Sequence, residues 1–123
     1  LCKYANERNV GILVWYGVKK RDGAHRVDLD NPETIEKEFA WCERLGVKGV
    51  KVDYLESDSQ WAMKDMYDIA SIAAKHKLVV NYHGCTDPNG ENRTFPNILS
   101  SEAVQGSEYF KWGSGSPYFA LYA

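Results

Sequence analysis

The chain has 123 residues, of which 44% are hydrophobic and 26% are charged, and its formal net charge at pH 7 is −2. Lys and Arg are interspersed with acidic residues, so the sequence has no basic surface for nucleic acid. No apolar run approaches the roughly 18 residues that a membrane span needs, so we expect no membrane partner either. The length suits a single domain.

The first residues, LCKYANERN, contain neither an initiator Met nor the apolar stretch of a signal peptide. We expect residue 1 not to be the natural start, so a leader removed earlier would not be visible. The three cysteines, Cys2, Cys42 and Cys85, are widely spaced and form no CxxC pair, which argues against a disulfide framework. Cys42 falls inside a predicted helix and is expected to be a small packing residue.

The first two predicted elements are a strand and a helix. Residues 9–18, NVGILVWYGV, are apolar and rich in β-branched and aromatic side chains, as in strands buried on both faces. Residues 31–46, NPETIEKEFAWCERLG, predict a helix capped by Asn31, with Pro32 in its first turn and Gly46 at its end. Its apolar face is predicted from helical spacing to contain Ile35, Phe39 and Cys42.

The next elements continue the alternation. VKGVKVDY is a second strand, and SDSQWAMKDMYDIASIAAKHK is a second helix that Ser57 or Asp58 would cap. The apolar stripe of this helix is predicted to contain Trp61, Met66, Ile69, Ile72 and Ala73. LVVNYHG is a third strand, CTDPNGENRTFPN is a turn-rich irregular stretch, and ILSSEAVQGSEYF contains a fourth short strand.

Alternating strands and helices predict an α/β fold with a parallel sheet, and both a doubly wound sheet and a (β/α)8 TIM barrel fit the pattern. A complete barrel takes about 250 residues, so this length corresponds to a partial barrel, roughly half of one. The two free sheet edges of a half barrel predict self-association.

The polar residues that follow the predicted strands are the candidate site. Asp53 ends the second strand, His83 ends the third, and Glu102 and Glu108 flank the fourth ordered stretch. Active sites of parallel α/β folds gather at these strand ends. Asp53 is interpreted either as a catalytic carboxylate or as a cap of the following turn. Two facing carboxyl groups are the minimal equipment for hydrolysis of a glycosidic bond.

Aromatic side chains near the same strand ends would suit sugar faces, although each of them has packing as its alternative: Trp15, Tyr16, Tyr54, Tyr82, Tyr109 and Trp112. No GxGxxG, GxxxxGK[ST], HExxH or GxSxG motif is present. His76 lies near the end of the second helix and is expected to interact with the helix dipole, whereas His83 is the better functional candidate.

Three segments, GVKGVKVDYLESDSQ, NYHGCTDPNGENRTFPN and SSEAVQGSEY, together resemble the catalytic barrel of glycoside hydrolase family 97. The resemblance runs from about Asn9 to Trp112. It depends on a combination of motifs: a strand ending in KVD, then HG, then RTFPN, then a glutamate followed by another six positions later. The family comprises bacterial α-glucosidases and α-galactosidases that use a calcium ion.

The resemblance implies a role for each matching residue. Asp53 matches the nucleophile of the retaining branch, and Gly84 stands where inverting members place a base glutamate. Glu108 matches the acid/base, and Glu102 together with Glu108 matches the calcium-binding glutamates. His83, Arg93 and, from the aromatic set, Trp15 are the predicted substrate-binding residues. In a retaining enzyme the two catalytic carboxyl groups stand about 5–5.5 Å apart.

The function predicted in this way is retaining, α-galactosidase-type hydrolysis of a terminal α-glycoside or α-linked oligosaccharide, with Ca²⁺ as cofactor. Three alternatives stay open: an α-glucosidase, a truncated barrel without activity of its own, and another (β/α)8 enzyme that uses Asp53, Glu102 and Glu108 as metal ligands.

Three further expectations follow from the resemblance. The family takes a further calcium ligand from an N-terminal β-sandwich domain that this sequence lacks. Residues 1–123 are expected to form part of the catalytic domain, with 113–123 as an atypical tail. By resemblance, the bacterial parent protein would be periplasmic or secreted.

Overall fold

The computed structural model describes residues 1–18, 29, 31–104 and 106–112. The predicted tail, 113–123, and the side chains of Tyr109 and Trp112 lie outside this part. The elements are α1 (Cys2–Asn6), β1 (Leu13–Gly17), α2 (Pro32–Leu45), β2 (Gly49–Asp53), α3 (Gln60–Lys75), β3 (Val79–His83), α4 (Glu91–Thr94), β4 (Ile98–Glu102) and a 3-10 helix (Ser107–Trp112). None of the described helices is long and apolar enough to cross a bilayer.

The four strands form one parallel sheet in the order β1-β2-β3-β4. Consecutive neighbours joined by helices confirm the α/β class and are consistent with part of a (β/α)8 barrel. Within the described part of the chain, β1 and β4 are the edges of the sheet. The self-association expected from such edges stays a prediction.

One face of the sheet packs against α2 and α3 and forms the core. The alternating residues Val50, Val52, Val80 and Tyr82 are fully buried in a cluster with residues of both helices. Burial of each such side chain contributes about 1.5–3 kcal/mol relative to exposure. The Tyr82 hydroxyl donates to the main-chain carbonyl of Met66, so the buried phenol is satisfied.

The opposite face carries Trp15, Lys51, Asn81 and Ser100 in register across the four strands. None of these side chains is fully buried, and Leu13 of the same face is 44% exposed. This face corresponds to the interior of a barrel, and within the described residues no helix covers it. Helices α2 and α3 therefore cover the apolar face of the sheet and leave the polar face open.

Helix α2 confirms the prediction made from its termini. The Asn31 side chain accepts a hydrogen bond from the Glu33 N–H at 2.8 Å, and Gly46 ends the helix with φ of 75°. A left-handed residue at this position favours glycine, because a Cβ would be strained there. The predicted packing residue Cys42 is fully buried.

The predicted start of α3 was wrong. Ser59, rather than Ser57 or Asp58, is the cap, and its Oγ accepts a hydrogen bond from the Ala62 N–H at 3.4 Å. The Ser57 hydroxyl instead donates to Ser59 Oγ at 2.9 Å and accepts from the Ser59 N–H. The consecutive residues Ser57, Asp58 and Ser59 offer the same capping chemistry, and only the geometry of the turn selects one of them.

The predicted apolar stripe of α3 was wrong for Trp61, which is 46% exposed. The buried stripe consists of Ala62, Met66, Ile69, Ala70 and Ala73. Ala62 is one position further along the helix than Trp61, a rotation of about 100° that turns the tryptophan away from the core. Helix α4 is a second difference, because a single turn of helix forms inside the stretch that was expected to be irregular.

Candidate active site

The strand ends bring Asp53, His83 and Glu102 to one edge of the sheet. Asp53 is the last residue of β2, and His83 and Glu102 are register partners at the ends of β3 and β4. Parallel strands end on the same side, so the convergence predicted from the chain order is what the register produces.

Asp53 is almost buried and accepts three hydrogen bonds. Nε1 of Trp15 donates to Oδ2 at 3.0 Å, while Oδ1 accepts the Tyr54 N–H at 2.8 Å and lies 3.2 Å from Nδ1 of His83. Burial alone raises the pKa of Asp53, but the hydrogen bonds from Trp15 and Tyr54 and the contact with His83 together lower the pKa below its ordinary value. The carboxyl group is therefore ionised at neutral pH.

The two interpretations of Asp53 are compatible with each other. Oδ1 accepts the N–H of the next residue and so caps the turn that begins there, while among the described residues the indole of Trp15 donates to Oδ2. One carboxylate thus stabilises the turn and presents an ionised group at the end of β2.

His83 joins Asp53 to a second carboxylate. Its Nδ1 faces Oδ1 of Asp53, and its Nε2 lies 3.0 Å from Oε2 of Glu102. The same Oε2 accepts the Gly84 N–H at 3.4 Å. Because both ring nitrogens face carboxylate oxygens, the doubly protonated imidazolium is the form that donates to both.

Glu108, an exposed residue of the 3-10 helix, completes the cluster. One ligand atom from each of His83, Glu102 and Glu108 lies within 4.8 Å of the other two. Since Asp53 and Glu102 contact the two nitrogens of the same imidazole, all four predicted residues lie in one neighbourhood. The structure therefore brings the two predicted catalytic carboxylates, Asp53 and Glu108, to the same side of the sheet.

The backbone turns sharply after β2 and β3. Tyr54 and Glu56 have positive φ angles of 66° and 44°, and Gly84 has a φ of 55°. The Glu56 N–H donates to the Gly84 carbonyl at 2.7 Å, which ties the two turns together. Non-glycine residues in this conformation cost about 1 kcal/mol or more and are concentrated at functional sites.

Gly84 lies directly beside the carboxylate of Asp53. A Cβ added at residue 84 would make an ordinary van der Waals contact of 3.5 Å with Oδ1 of Asp53, so the positive φ, and not a clash, is what disfavours a side chain there. The glycine at position 84 is therefore favoured by its left-handed backbone conformation.

The turns border an open cleft of about 710 Å³. Its acidic lining residues are Glu56, Asp58, Asp87 and Glu102. Among the residues that the structure describes, no lysine or arginine forms an ion pair with Asp53 or Glu102. The cleft is thus polar and acidic, unlike the helix-covered face of the sheet.

The donors at this edge fit a calcium ion in part. Calcium takes six to eight oxygen ligands, and Glu102 and Glu108 supply carboxylate oxygens close to each other. The nitrogen of His83 is a poor ligand for so hard a cation, and its contact with Glu102 is that of a hydrogen-bond partner. The described residues therefore provide two suitable carboxylates and not a full coordination shell.

The predicted substrate-binding residues divide into two groups. His83 and Trp15 are in the site, and the Trp15 ring packs edge-on against Tyr54 with centroids 5.8 Å apart. Arg93 lies exposed on α4, and within the described part its side chain forms no ion pair or hydrogen bond with the site. A role for Arg93 stays a prediction that this geometry does not support by contact.

Packing, and not sugar binding, accounts for two of the aromatic candidates. Tyr16 and Tyr82 are buried on the helix side of the sheet. The Tyr16 hydroxyl lies 3.2 Å from Oε2 of Glu38, and burial of the phenol raises its pKa. The alternation within each strand, which sends neighbours to opposite faces, separates these two tyrosines from Trp15 and His83.

Lys51 is a residue that the sequence analysis missed. It lies on β2 two positions before Asp53, on the same face, and is the register partner of Trp15 and Asn81. Strand alternation could have identified it, because a residue two positions before a cleft carboxylate points the same way. Lys51 is the cation of this face that lies nearest to Asp53 along its strand.

The family model for glycoside hydrolase 97 matches residues 1–104. The chain belongs to glycoside hydrolase family 97. The predicted resemblance is thereby confirmed. The chain is 43% identical over 108 residues to a protein of Streptomyces bingchenggensis named "Probable retaining alpha-galactosidase". It is 40% identical over 116 residues to the retaining α-galactosidase of Bacteroides thetaiotaomicron. These matches cover 88% and 94% of the chain, and the chain spans 16% of the length of each relative.

Solved structures of glycosidases share the fold. The crystal structure of a β-arabinopyranosidase superposes with a TM-score of 0.79 and 36% identity, covering 90% of this chain and 18% of that one. A family 97 enzyme from Pseudoalteromonas sp. in complex with panose superposes with a TM-score of 0.73, covering 92% of this chain and 19% of that one. At 22% identity the second match supports the fold alone.

Proposed function

We propose that this chain carries the catalytic pair of a retaining α-galactosidase, with Asp53 as the nucleophile and Glu108 as the acid/base. The observation that carries the proposal is the geometry around Asp53, a carboxylate held by three donors and joined through His83 to the cluster that contains Glu108. The names of the two curated relatives support the same class of reaction.

The first step of the proposed reaction forms a covalent intermediate. An oxygen of Asp53 attacks the anomeric carbon as the bond to the leaving oxygen breaks, and the carboxyl group of Glu108 gives its proton to that oxygen. His83 holds Oδ1 of the nucleophile while its other nitrogen holds Glu102, so the carboxylate keeps its orientation as its charge is lost.

The second step reverses these roles. The Glu108 carboxylate removes a proton from water, the water oxygen attacks the anomeric carbon, and the ester bond to Asp53 breaks. The sugar leaves with its original configuration, because two displacements have occurred on opposite faces. The glycine at position 84 suits this scheme, since no second base occupies the space beside Asp53.

We further propose that the cofactor is Ca²⁺, held in part by Glu102 and Glu108. A bound calcium ion would supply positive charge beside substrate oxygens. Calorimetric titration with Ca²⁺ alone should show weaker binding in Glu102→Gln than in Asp87→Asn, which changes an acidic residue of the same cleft. Equal affinities in the two variants would remove Glu102 from the site.

The nucleophile is tested in the full-length protein that carries this segment. Asp53→Gly should lose hydrolysis of an aryl α-galactoside, and azide should restore turnover and yield the β-galactosyl azide. Asp87→Asn is the matched control, because it removes a carboxylate of the cleft that Glu102 lines and leaves Asp53 in place. Full activity of Asp53→Gly, or loss without azide rescue, would refute the assignment.

The similarity to a β-arabinopyranosidase structure favours a second substrate, a β-L-arabinopyranoside. This sugar has the ring configuration of α-D-galactose without the hydroxymethyl group, so one site could accept both. Values of kcat/KM for matched aryl glycosides, with the α-glucoside as a third, distinguish the candidates. We expect the α-galactoside to be fastest, and a faster arabinopyranoside would replace it as the substrate.

For the chain by itself, the alternative of a barrel part without activity remains. The described sheet has β1 and β4 at its edges. We expect the purified 123-residue chain to show no turnover at any calcium concentration. Calcium-dependent turnover by this chain would refute that expectation and show that the site assembles without further sequence.

A further inference from the structure

We propose that Trp15 is a positioning residue for Asp53, whose indole N–H fixes the orientation of the nucleophilic carboxylate. The inference rests on the proposed role of Asp53 and goes beyond it, because it gives the tryptophan a task other than contact with the sugar. The observation is the hydrogen bond from Nε1 of Trp15 to Oδ2 of Asp53 at 3.0 Å.

The three donors reach Asp53 from three different elements. Trp15 comes from β1, His83 from β3, and the Tyr54 N–H from the turn that follows β2. Two of them contact Oδ1, so Trp15 is the donor that holds Oδ2. The torsion that rotates an aspartate carboxyl group has a broad, shallow preference, and donors on both oxygens restrict it to one orientation.

Trp15 is itself held in place. Its ring packs at 80° against the ring of Tyr54, whose N–H binds the other oxygen of the same carboxylate. The side chain is still 38% exposed, so part of the ring faces the open side of the sheet. The indole therefore combines a fixed N–H with a ring surface on the open face of the sheet.

The chemistry of the indole suits this task. Its N–H is a donor only, it carries no charge, and it does not exchange a proton with a carboxylate in the physiological range. A lysine or arginine at the same place would also orient Asp53, but it would neutralise the negative charge that the attack requires. A neutral donor orients the oxygen and leaves its charge available.

The hydrogen bond is tested in the 123-residue chain by nuclear magnetic resonance of the indole N–H groups. The chain has four tryptophans, and Trp15→Phe assigns the relevant signal by its loss. In Asp53→Ala the same signal should move upfield, toward the position of an indole bonded to water. A signal that does not respond to this change would overturn the inference.

The effect of the hydrogen bond on catalysis is tested in the full-length protein. Trp15→Phe keeps the ring and removes the N–H, so kcat for the aryl α-galactoside should fall roughly tenfold to a hundredfold with little change in KM. Trp61→Phe is the control, since this exposed tryptophan lies on α3 outside the site. A kcat within about twofold of wild type, or a rise in KM alone, would assign Trp15 to sugar contact and overturn the positioning role.

The two proposals fail in different ways. If Asp53→Gly is inactive and rescued by azide while Trp15→Phe keeps full kcat, the positioning role is wrong and the nucleophile stands. If Asp53→Gly keeps full activity, the proposed nucleophile is wrong and the positioning role falls with it, whatever the spectrum shows.

Discussion

His83 and His76 make the same local contacts in two different settings. Each imidazole lies between two carboxylates, one at each ring nitrogen. For His76, Nδ1 lies 2.9 Å from Oε2 of Glu43 and Nε2 lies 3.0 Å from Oε1 of Glu36. The corresponding distances for His83 are 3.2 and 3.0 Å. Local geometry therefore does not separate a structural histidine from a functional one.

The surroundings of His76 neutralise its carboxylates. Lys75 binds Glu36 at 3.0 Å, and Nζ of Lys77 lies 3.4 Å from Glu43, so each glutamate has a lysine besides the imidazole. The ring sits at the C-cap of α3, where the expected dipole interaction is available, and both glutamates belong to α2. This cluster joins two helices and has no unpaired acidic group.

The surroundings of His83 leave its carboxylates available. Within the described residues, Asp53 and Glu102 have no lysine or arginine partner, and a third carboxylate, Glu108, lies beside them. The cluster also borders an open cleft. The comparison teaches that an excess of negative charge at a strand end, and not the histidine bridge itself, marks the candidate site.

The largest expected effect is a loss of catalysis, which should occur when the cluster around His83 is changed and not when the cluster around His76 is changed. Asp53→Asn should lower kcat by at least about 10³-fold, because the amide cannot act as a nucleophile. Glu43→Gln makes the same chemical change beside His76 and should leave kcat unchanged. Steady-state kinetics of the full-length protein decides this, and a similar loss in both variants would mean that the two clusters do not differ as proposed.

The helix cluster consists of His76, Glu36, Glu43, Lys75 and Lys77. Removal of His76 should affect stability instead of catalysis. His76→Ala should lower the free energy of unfolding by about 1–3 kcal/mol, because a nearly buried ring with two hydrogen bonds is lost. Its kcat at a temperature where both proteins are folded should match that of wild type. Chemical denaturation measures the first quantity, and an unchanged midpoint would show that the bridge between α2 and α3 does not stabilise the fold.

The helix cluster also predicts a loss of stability in acid. Hydrogen bonds from Lys75 and then His76 lower the pKa of Glu36, and those from His76 and then Lys77 lower the pKa of Glu43. A depressed folded-state pKa stabilises the protein above the unfolded value, near 4.5, and this contribution disappears as the pH falls through the folded-state value.

The measurement is denaturation at a series of pH values. The double variant Glu36→Gln/Glu43→Gln should flatten the fall in stability below pH 4.5, the ordinary pKa of a glutamate. Both carboxylates are exposed, so we expect a smaller effect than that of His76→Ala. Curves of equal slope for the double variant and wild type would contradict the prediction.

The smallest expected effect concerns the pKa of Asp53. Trp15→Phe removes a donor that favours the charged form, so the pKa of Asp53 should rise, although it remains below neutral pH. Carbon-13 resonance of the carboxyl group during an acid titration measures this change. Trp61→Phe should leave the pKa where it is, and an unchanged value in Trp15→Phe would indicate that the hydrogen bond has little strength.

Prediction from sequence succeeded where the signal was local or followed from chain order. Asn31 and Gly46 specify the ends of α2 through their own side-chain and backbone preferences, and the structure confirms them. The parallel sheet followed from alternation, and the meeting of Asp53 with His83 followed from the shared direction of strand ends. In contrast, Ser57, Asp58 and Ser59 offer the same capping chemistry, so the choice among them was wrong.

By itself, the sequence determined the order of the four strands and of α2 and α3, the ends of α2, the membership of family 97 and the identity of the carboxylates at the strand ends. The tertiary structure decided that Trp15 donates to Asp53, that Lys51 shares their face, and that His76 bridges two glutamates of another helix. The reason is the distance along the chain. Contacts between residues 38 or 40 positions apart depend on register and crossover geometry, which no local pattern of residues encodes.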